Sequence, residues 1–425
     1  MRKLVIVRGR RESNYIKYKE RITIGAPTKV EVYINPLGGI TKYKVVWETR
    51  TRPRPLTIGP APIEDVVDRL KAEGLVVNRR LSYDTITAII EGFIRKGRAE
   101  IREEIESPGF YWVDNRLIVV NYEVKEITKE ELREALELLN ELAEKWYSYC
   151  VERFATVIKW GVIHPFMYAR KQLGRQYQVP YLALYGERNT GKTTLGEIAT
   201  IYLWGLKPVE HRASGLKVDT EARMGHILSK STFGIVVNEA NVVFTKTGII
   251  NMLKNSVEDT IARGKYVRGT YTEIPALAPL VFTLNPNPPV DFEALELVPK
   301  TVYLMYFSEG ERISSERKKV FDNEIVPKLH KLSCIGHFAA KRVMDNPELL
   351  KMNWLELGKK LLEEAYNYAG LTPPKWLNLV YKTKTFEDIE REKVEDIRTR
   401  FIKYVNEQYS RHIHRLMVTD EQGIT

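Results

Sequence analysis

The 425-residue chain carries only two cysteines, Cys150 and Cys334. Two thiols cannot build a disulfide framework or a cysteine zinc site, which excludes small stapled secreted folds and fits a reducing compartment. The seven histidines offer no metal site either, because none pairs with Cys or a carboxylate at ligand spacing. His412 and His414, two apart, fall on different faces of a helix. Neither a Ser-His-Asp arrangement nor a pair of catalytic carboxylates stands out. Also missing is any apolar run near the roughly 18 residues of a membrane span, and "LVIV" near the start is too short for a signal peptide. A soluble cytoplasmic protein with no membrane partner is expected.

What is present is a chain long enough for two or three domains, with 44% hydrophobic residues to fill their cores. The net charge of +11 is concentrated: residues 1–60 hold fourteen Lys and Arg against four acids. A polyanionic partner, most simply nucleic acid, explains that excess, and a solvated basic face is the alternative.

Short β-branched and Tyr-rich runs over 1–60 read as a basic β-rich domain, closed by the proline-rich "TRPRPLTIGPAP". Residues 61–125 follow as an α+β module of winged-helix-like order, with helical patterns at 63–74 and 82–97. "RAEIREEI" and "FYWVDNRLIVVNYEV" are expected to pair as its hairpin. A helical linker, 126–178, opens on Thr128 and Glu131, spaced as a capping box. Strands and helices alternate over 179–310, which implies a parallel sheet flanked by helices. Residues 311–425 form a helical C-terminal region.

"VPYLALYGERNTGKTTLGEIATIYLW" places an apolar strand, a glycine loop and a helix in the order a phosphate-binding loop requires. Gly186 and Gly191 let successive N–H groups of the loop, Asn189, Thr190 and Thr194 among its residues, face phosphate oxygens. Lys192 is spaced to reach the β- and γ-phosphates of ATP, and the Thr193 hydroxyl to hold Mg²⁺. "STFGIVVNEAN" supplies a second strand ending in Asn238 and Glu239. A glutamate there can orient or deprotonate the attacking water, while Asn238 stands where an aspartate is usual and brings no charge. A third strand, "APLVFTLNPNP", ends in Asn285, whose amide can hydrogen-bond the γ-phosphate or the water.

This order of motifs resembles the AAA+ superfamily, and within it the branch shared by superfamily 3 and minichromosome maintenance (MCM) helicases. The resemblance covers residues 180–310 and rests on "DTIARGKYVRGTYTEI", a basic hairpin before the strand that ends in Asn285. In those helicases such a hairpin grips DNA in the channel of a ring. The resemblance implies that Lys265, with Arg263 and Arg268, binds DNA, with Gly264 and Gly269 making the turns. It further implies an α/β AAA+ P-loop ATPase core, Asn285 as sensor 1, a hexameric ring with ATP between subunits, and an arginine finger. The finger's usual place holds Lys300, and Arg312 lies just past the last strand.

The expectation is an ATP-dependent helicase or translocase on single-stranded or forked DNA, replicating a virus, plasmid or mobile element. An ATP-switched initiator or loader that does not unwind is the alternative, favoured by Asn238 and the absent arginine. A packaging motor would share the ATP site without requiring the hairpin.

Overall fold

The computed structural model describes residues 25–383 except 38–40, 50–52, 75–78 and 268–269, together with the strands 5–12 and 15–22 and parts of 388–405, 418–419 and 423–424. The chain divides into two compact units, Met1–Glu106 with Lys265–Glu273, and Ser107–Gly264 with Ile274–Thr425.

In the first unit, β1 (Val5–Glu12) and β2 (Tyr15–Ile22) pair as an antiparallel ribbon. A separate sheet follows, from β3 (Gly25–Ile34), β4 (Lys42–Thr49), β5 (Leu56–Ala61) and β6 (Glu100–Glu103), in the order β5-β4-β3-β6. The first three form an antiparallel meander, whereas β6 returns parallel to β3 after the helices Ile63–Ala72 and Arg79–Arg95. Val30, Val32, Val45, Trp47 and Ile58 face those helices, burying Val66, Val67, Leu70, Ile86 and Ile90. Alternation puts Lys29, Glu31 and Tyr33 on the other face of β3. There the buried Glu31 carboxylate meets Lys29 at 2.8 Å, accepts from Tyr33 Oη at 2.7 Å, and lies 3.6 and 3.7 Å from Lys44 and Arg102. The hydrogen bond from Lys29, then that from Tyr33, holds its carboxyl down to about 2.

The second unit begins with β7 (Gly109–Val113) and β8 (Arg116–Val120), a hairpin closed by Asp114 and Asn115 at φ 48° and 58°. Two consecutive left-handed residues match the twist of a tight hairpin. "RAEIREEI" therefore does not pair with the segment after it, since its strand, β6, joins β3 instead. The helix Lys129–Glu141 starts on the expected capping box: Thr128 Oγ1 accepts from Glu131 N at 3.2 Å and Glu131 accepts from Thr128 N at 2.9 Å.

Five parallel strands form the central sheet: β9 (Tyr181–Gly186), β10 (Arg212–Ser214), β11 (Ile235–Asn238), β14 (Leu280–Leu284) and β15 (Val302–Phe307). Between β11 and β14 in sequence, β12 (Ile261–Val267) and β13 (Thr270–Pro275) form a two-stranded ribbon, so Gly264 lies inside a strand. The sheet order is β10-β11-β14-β9-β15, which puts β9, the first of these strands in sequence, between the last two of them. Where strand order reverses, the loops at the carboxyl ends of neighbouring strands part and open a crevice. The helices Val151–Ile163 and Trp354–Tyr368 share a core with one face of the sheet, with Trp160 and Trp204 fully buried. Among the described residues no helix is long and apolar enough to cross a membrane.

Candidate nucleotide site

The carboxyl ends of β9, β11 and β14 open into a cavity of about 670 Å³. The loop from β9 into the helix Lys192–Thr200 forms one wall. Gly186 is required by a close approach: at φ 136°, a Cβ there would lie 2.0 Å from the Phe307 carbonyl oxygen. Gly191 caps the helix in the left-handed region at φ 77°, with Tyr149 Oη, Ile313 and Tyr147 within 3.3 Å of where a Cβ would sit. Tyr149 Oη also donates to the Thr190 carbonyl at 3.1 Å, bracing the loop from outside. The Lys192 ammonium lies inside the turn, donating to the carbonyls of Gly186 at 2.9 Å and of Glu187. Burial pushes its pKa down to about 8.

Asn238, at the end of β11, joins β14 to the first turn of the helix Lys192–Thr200. Its side-chain oxygen accepts from Thr193 Oγ1 at 3.0 Å and from Thr283 Oγ1, on β14, at 2.8 Å. A neutral amide thus ties the loop hydroxyl to the neighbouring strand. Glu239 follows at φ 52°, a left-handed conformation that costs a bulky residue of order 1–3 kcal/mol and concentrates at functional sites. Gly215 makes room for it, since a Cβ there would come within 2.4 Å of the Glu239 carbonyl oxygen.

Asn285 also lines the cavity, and Asn241, which no sequence motif singles out, fixes its backbone. The Asn241 amide donates to the carbonyls of Asn285 at 2.8 Å and Pro288 at 2.6 Å, and its oxygen accepts from Asn285 N at 3.2 Å. A polar residue three positions beyond Asn238 in an otherwise apolar stretch was the available signal.

The cavity is also lined by Trp146 and Phe321, with Arg317 and Lys318 beside them, and by Tyr147, whose ring lies against Gly191 of the loop. Trp146 packs edge-on against Phe321 with centroids 5.1 Å apart, and the Arg317 guanidinium lies 5.7 Å over the indole. Trp146 is 6% exposed, as its helical pattern predicts for a core residue, yet its indole N–H has no hydrogen-bond partner among the described residues. These residues belong to no motif, so sequence reasoning missed them as site residues.

Of the residues singled out in sequence, the fold brings Asn189, Thr190, Gly191, Lys192, Thr193, Thr194, Asn238, Glu239 and Asn285 to one cavity, with Gly186 under the loop. Arg312 sits beside this site, paired with Glu187 of the loop at 2.8 Å, while Ile313 N donates to the Asn189 carbonyl at 2.8 Å. Lys300 is not among the cavity residues: it precedes β15 at the amino-end edge of the sheet and pairs with Glu258 at 2.5 Å. Arg263 is ion-paired with Glu221. Lys265 lies on β12, and Arg268 falls outside the described residues.

The residues present fit a nucleoside triphosphate with Mg²⁺. The volume suits a ligand of that size, the glycines admit close backbone approach, and the donor set is one ammonium, loop N–H groups and a hydroxyl for a hard cation.

The chain matches no protein-family model and no curated protein. Among solved structures, SCCmec type IV Cch, described as an active helicase, aligns with a TM-score of 0.46 and 11% identity, covering 90% of this chain and 75% of that one. The C-terminal region of NrS-1, in its A-form apo structure, aligns with a TM-score of 0.33 and 12% identity, covering 93% and 95%. Likenesses this distant add nothing to the functional reading, which stands on the cavity.

Proposed function

We propose that this protein is an ATP-hydrolysing DNA translocase of the helicase type, working as a homo-oligomeric ring, six subunits by family resemblance, in the replication of a virus, plasmid or mobile element. The observation that carries this reading is the convergence of the Thr193 and Thr283 hydroxyls on the Asn238 amide oxygen, beside Lys192 and Glu239. Mg²⁺ held through Thr193 would supply charge for phosphoryl transfer. Lys192 neutralises phosphate charge, Glu239 takes or orients the proton of the attacking water, and Asn285 orients that water or the γ-phosphate. The aromatic end receives the base. The β12–β13 ribbon carries Lys265 to DNA, and gripping the backbone makes binding tolerant of sequence and sensitive to salt.

The initiator or loader reading keeps one specific support. Asn238 brings no charge to the metal side, and Arg312 is engaged with its own loop through Glu187. Unwinding of a forked duplex separates the two. Wild type is expected to unwind with ATP, Lys192→Ala to lose hydrolysis by at least about 10²-fold, and Lys265→Ala to lose unwinding while still hydrolysing ATP. A wild type that assembles on DNA with ATP and never unwinds would replace the motor with the initiator or loader.

A further inference from the structure

Four cations line the nucleotide cavity, Arg188, Lys192, Arg317 and Lys318, and they suit a polyphosphate. Two carboxylates line it as well, Glu239 and Asp322. Glu239 has its place beside the attacking water. Asp322 has no such place, and a carboxylate among phosphates would be repelled by them.

Asp322 belongs to the helix Ser315–Glu324, which buries none of its residues and borders the cavity through Ser315, Arg317, Lys318, Phe321 and Asp322. The amino end of this helix is anchored on the phosphate loop. Ile313 N donates to the Asn189 carbonyl at 2.8 Å, and the Ile313 side chain lies 3.2 Å from where a Cβ on Gly191 would sit. At about 1.5 Å per residue, Asp322 stands about 10 Å along the axis from Ser315. Arg317 and Phe321 are engaged with the body of the protein: Arg317 donates to the Lys145 carbonyl at 2.5 Å, and Phe321 packs on Trp146. Lys318 and Asp322 are one turn apart, the spacing at which ion pairs form on a helix. Their side chains nevertheless make no hydrogen bond or ion pair among the described residues. Both groups are thus open to a ligand.

We infer that Asp322 holds the ribose hydroxyls and makes the cavity a site for ribonucleoside triphosphates. The inference rests on the reading of the cavity as an ATP site and adds which sugar it takes. An ionised carboxylate only accepts hydrogen bonds. A nucleoside triphosphate offers it donors in two places, the ribose hydroxyls and the edge of the base. Lys318 and Asp322 share a helix face with β-carbons about 5–6 Å apart, so the group that meets the carboxylate adjoins the group that meets the ammonium. The partner of the ammonium is phosphate, and the ribose adjoins the phosphates. The base lies one step further on, where its faces rather than its edge suit the rings of Phe321 and Trp146. Reading the sugar lets a DNA-acting ATPase work among deoxynucleotides without consuming them.

The test is equilibrium binding of ATP, 2′,3′-dideoxy-ATP and GTP to the full chain with Mg²⁺, for wild type, Asp322→Ala and Lys192→Ala. Alanine at an exposed helical position preserves the helix, so Asp322→Ala is expected to fold. Wild type is expected to bind ATP about tenfold more tightly than dideoxy-ATP, the low end for hydrogen bonds to a charged group because Asp322 is exposed. Asp322→Ala should bring the two nucleotides level by weakening ATP. A carboxylate that only sits near the phosphates gives the opposite sign: its removal tightens ATP and dideoxy-ATP alike, and that result overturns the inference. Equal binding of the two by wild type does so as well, as does an equal loss of both in Asp322→Ala. A change in the ratio of ATP to GTP with the hydroxyl ratio untouched would place the carboxylate on the base and overturn it too. Lys192→Ala keeps the two readings apart. If ATP does not bind, or binds without dependence on Lys192, the nucleotide reading fails and this one with it. If binding depends on Lys192 and not on the ribose hydroxyls, this inference fails alone.

Discussion

The two ends of the nucleotide cavity contrast in what they are made of. At the phosphate end, contacts come from main chain and short polar groups: the Lys192 ammonium on two carbonyls, two threonine hydroxyls on one amide oxygen, and the Asn241 amide on the Asn285 loop. Elsewhere in the lining lie Trp146 and Phe321, large rings from segments far apart in the chain, with Arg317 over the indole. The first arrangement fixes positions, because each hydrogen bond has a narrow geometry. The second offers surface and stacking, which tolerate movement. Chemistry is therefore expected to be sensitive to small changes at the phosphate end, and affinity to changes at the aromatic end.

Asn241→Ala is the largest expected departure that leaves the phosphate loop intact. It removes three hydrogen bonds and leaves polar atoms of the Asn285 turn without partners, at about 1–3 kcal/mol for each one buried. Hydrolysis should fall by about 10- to 100-fold in kcat, with KM for ATP changed less, because Asn285 is misplaced in the reacting complex. Steady-state kinetics checks this. A pure KM effect would place Asn241 in ground-state binding and erase the contrast between the two ends.

Trp146→Phe is expected to do the opposite. It preserves an aromatic ring in the core and removes the indole N–H, which no group among the described residues satisfies. If that N–H serves the base, KM rises up to about tenfold, the worth of one hydrogen bond, with kcat unchanged. The same variant should narrow the preference for ATP over other nucleoside triphosphates. Unaltered KM and selectivity would make Trp146 a packing residue alone.

How far these ends were legible in sequence follows from the same contrast. The phosphate loop, Asn238, Glu239 and Asn285 could be found because a turn, a helix start and two strand ends fix their spacing locally. The capping box at Thr128 was legible for the same reason, two side chains three residues apart serving each other's backbone. Trp146 could not be assigned to the site, because a helical pattern identifies a buried face without saying which cavity that face borders. Asn241 was hidden because its partners, Asn285 and Pro288, lie across the sheet connection. The pairing of β6 with β3 was missed because a parallel return over two helices leaves no local signal.

The smallest expected effect concerns stability, and it separates Lys192 from the aromatic end by pH. Burial lowers the Lys192 pKa to about 8 from an ordinary value of 10.5. Below pH 8 the lysine is charged in both folded and unfolded chains, and the folded state bears the full cost of holding that charge out of water. Above 8 the folded state releases the proton while the unfolded state keeps it until about 10.5, so the cost declines across that window. Wild type should therefore gain thermal stability relative to Lys192→Met as pH rises from 7 to 9. The comparison is between slopes, because losing the hydrogen bonds to Gly186 and Glu187 shifts the variant's stability at every pH alike. Trp146→Phe, which changes no titrating group, should track wild type over the same range. Midpoints of thermal unfolding for the three proteins at several pH values make the measurement. A difference between wild type and Lys192→Met that does not move with pH would mean that the ammonium is stabilised within the loop as well as it is in water. The phosphate end would then hold its cation without strain.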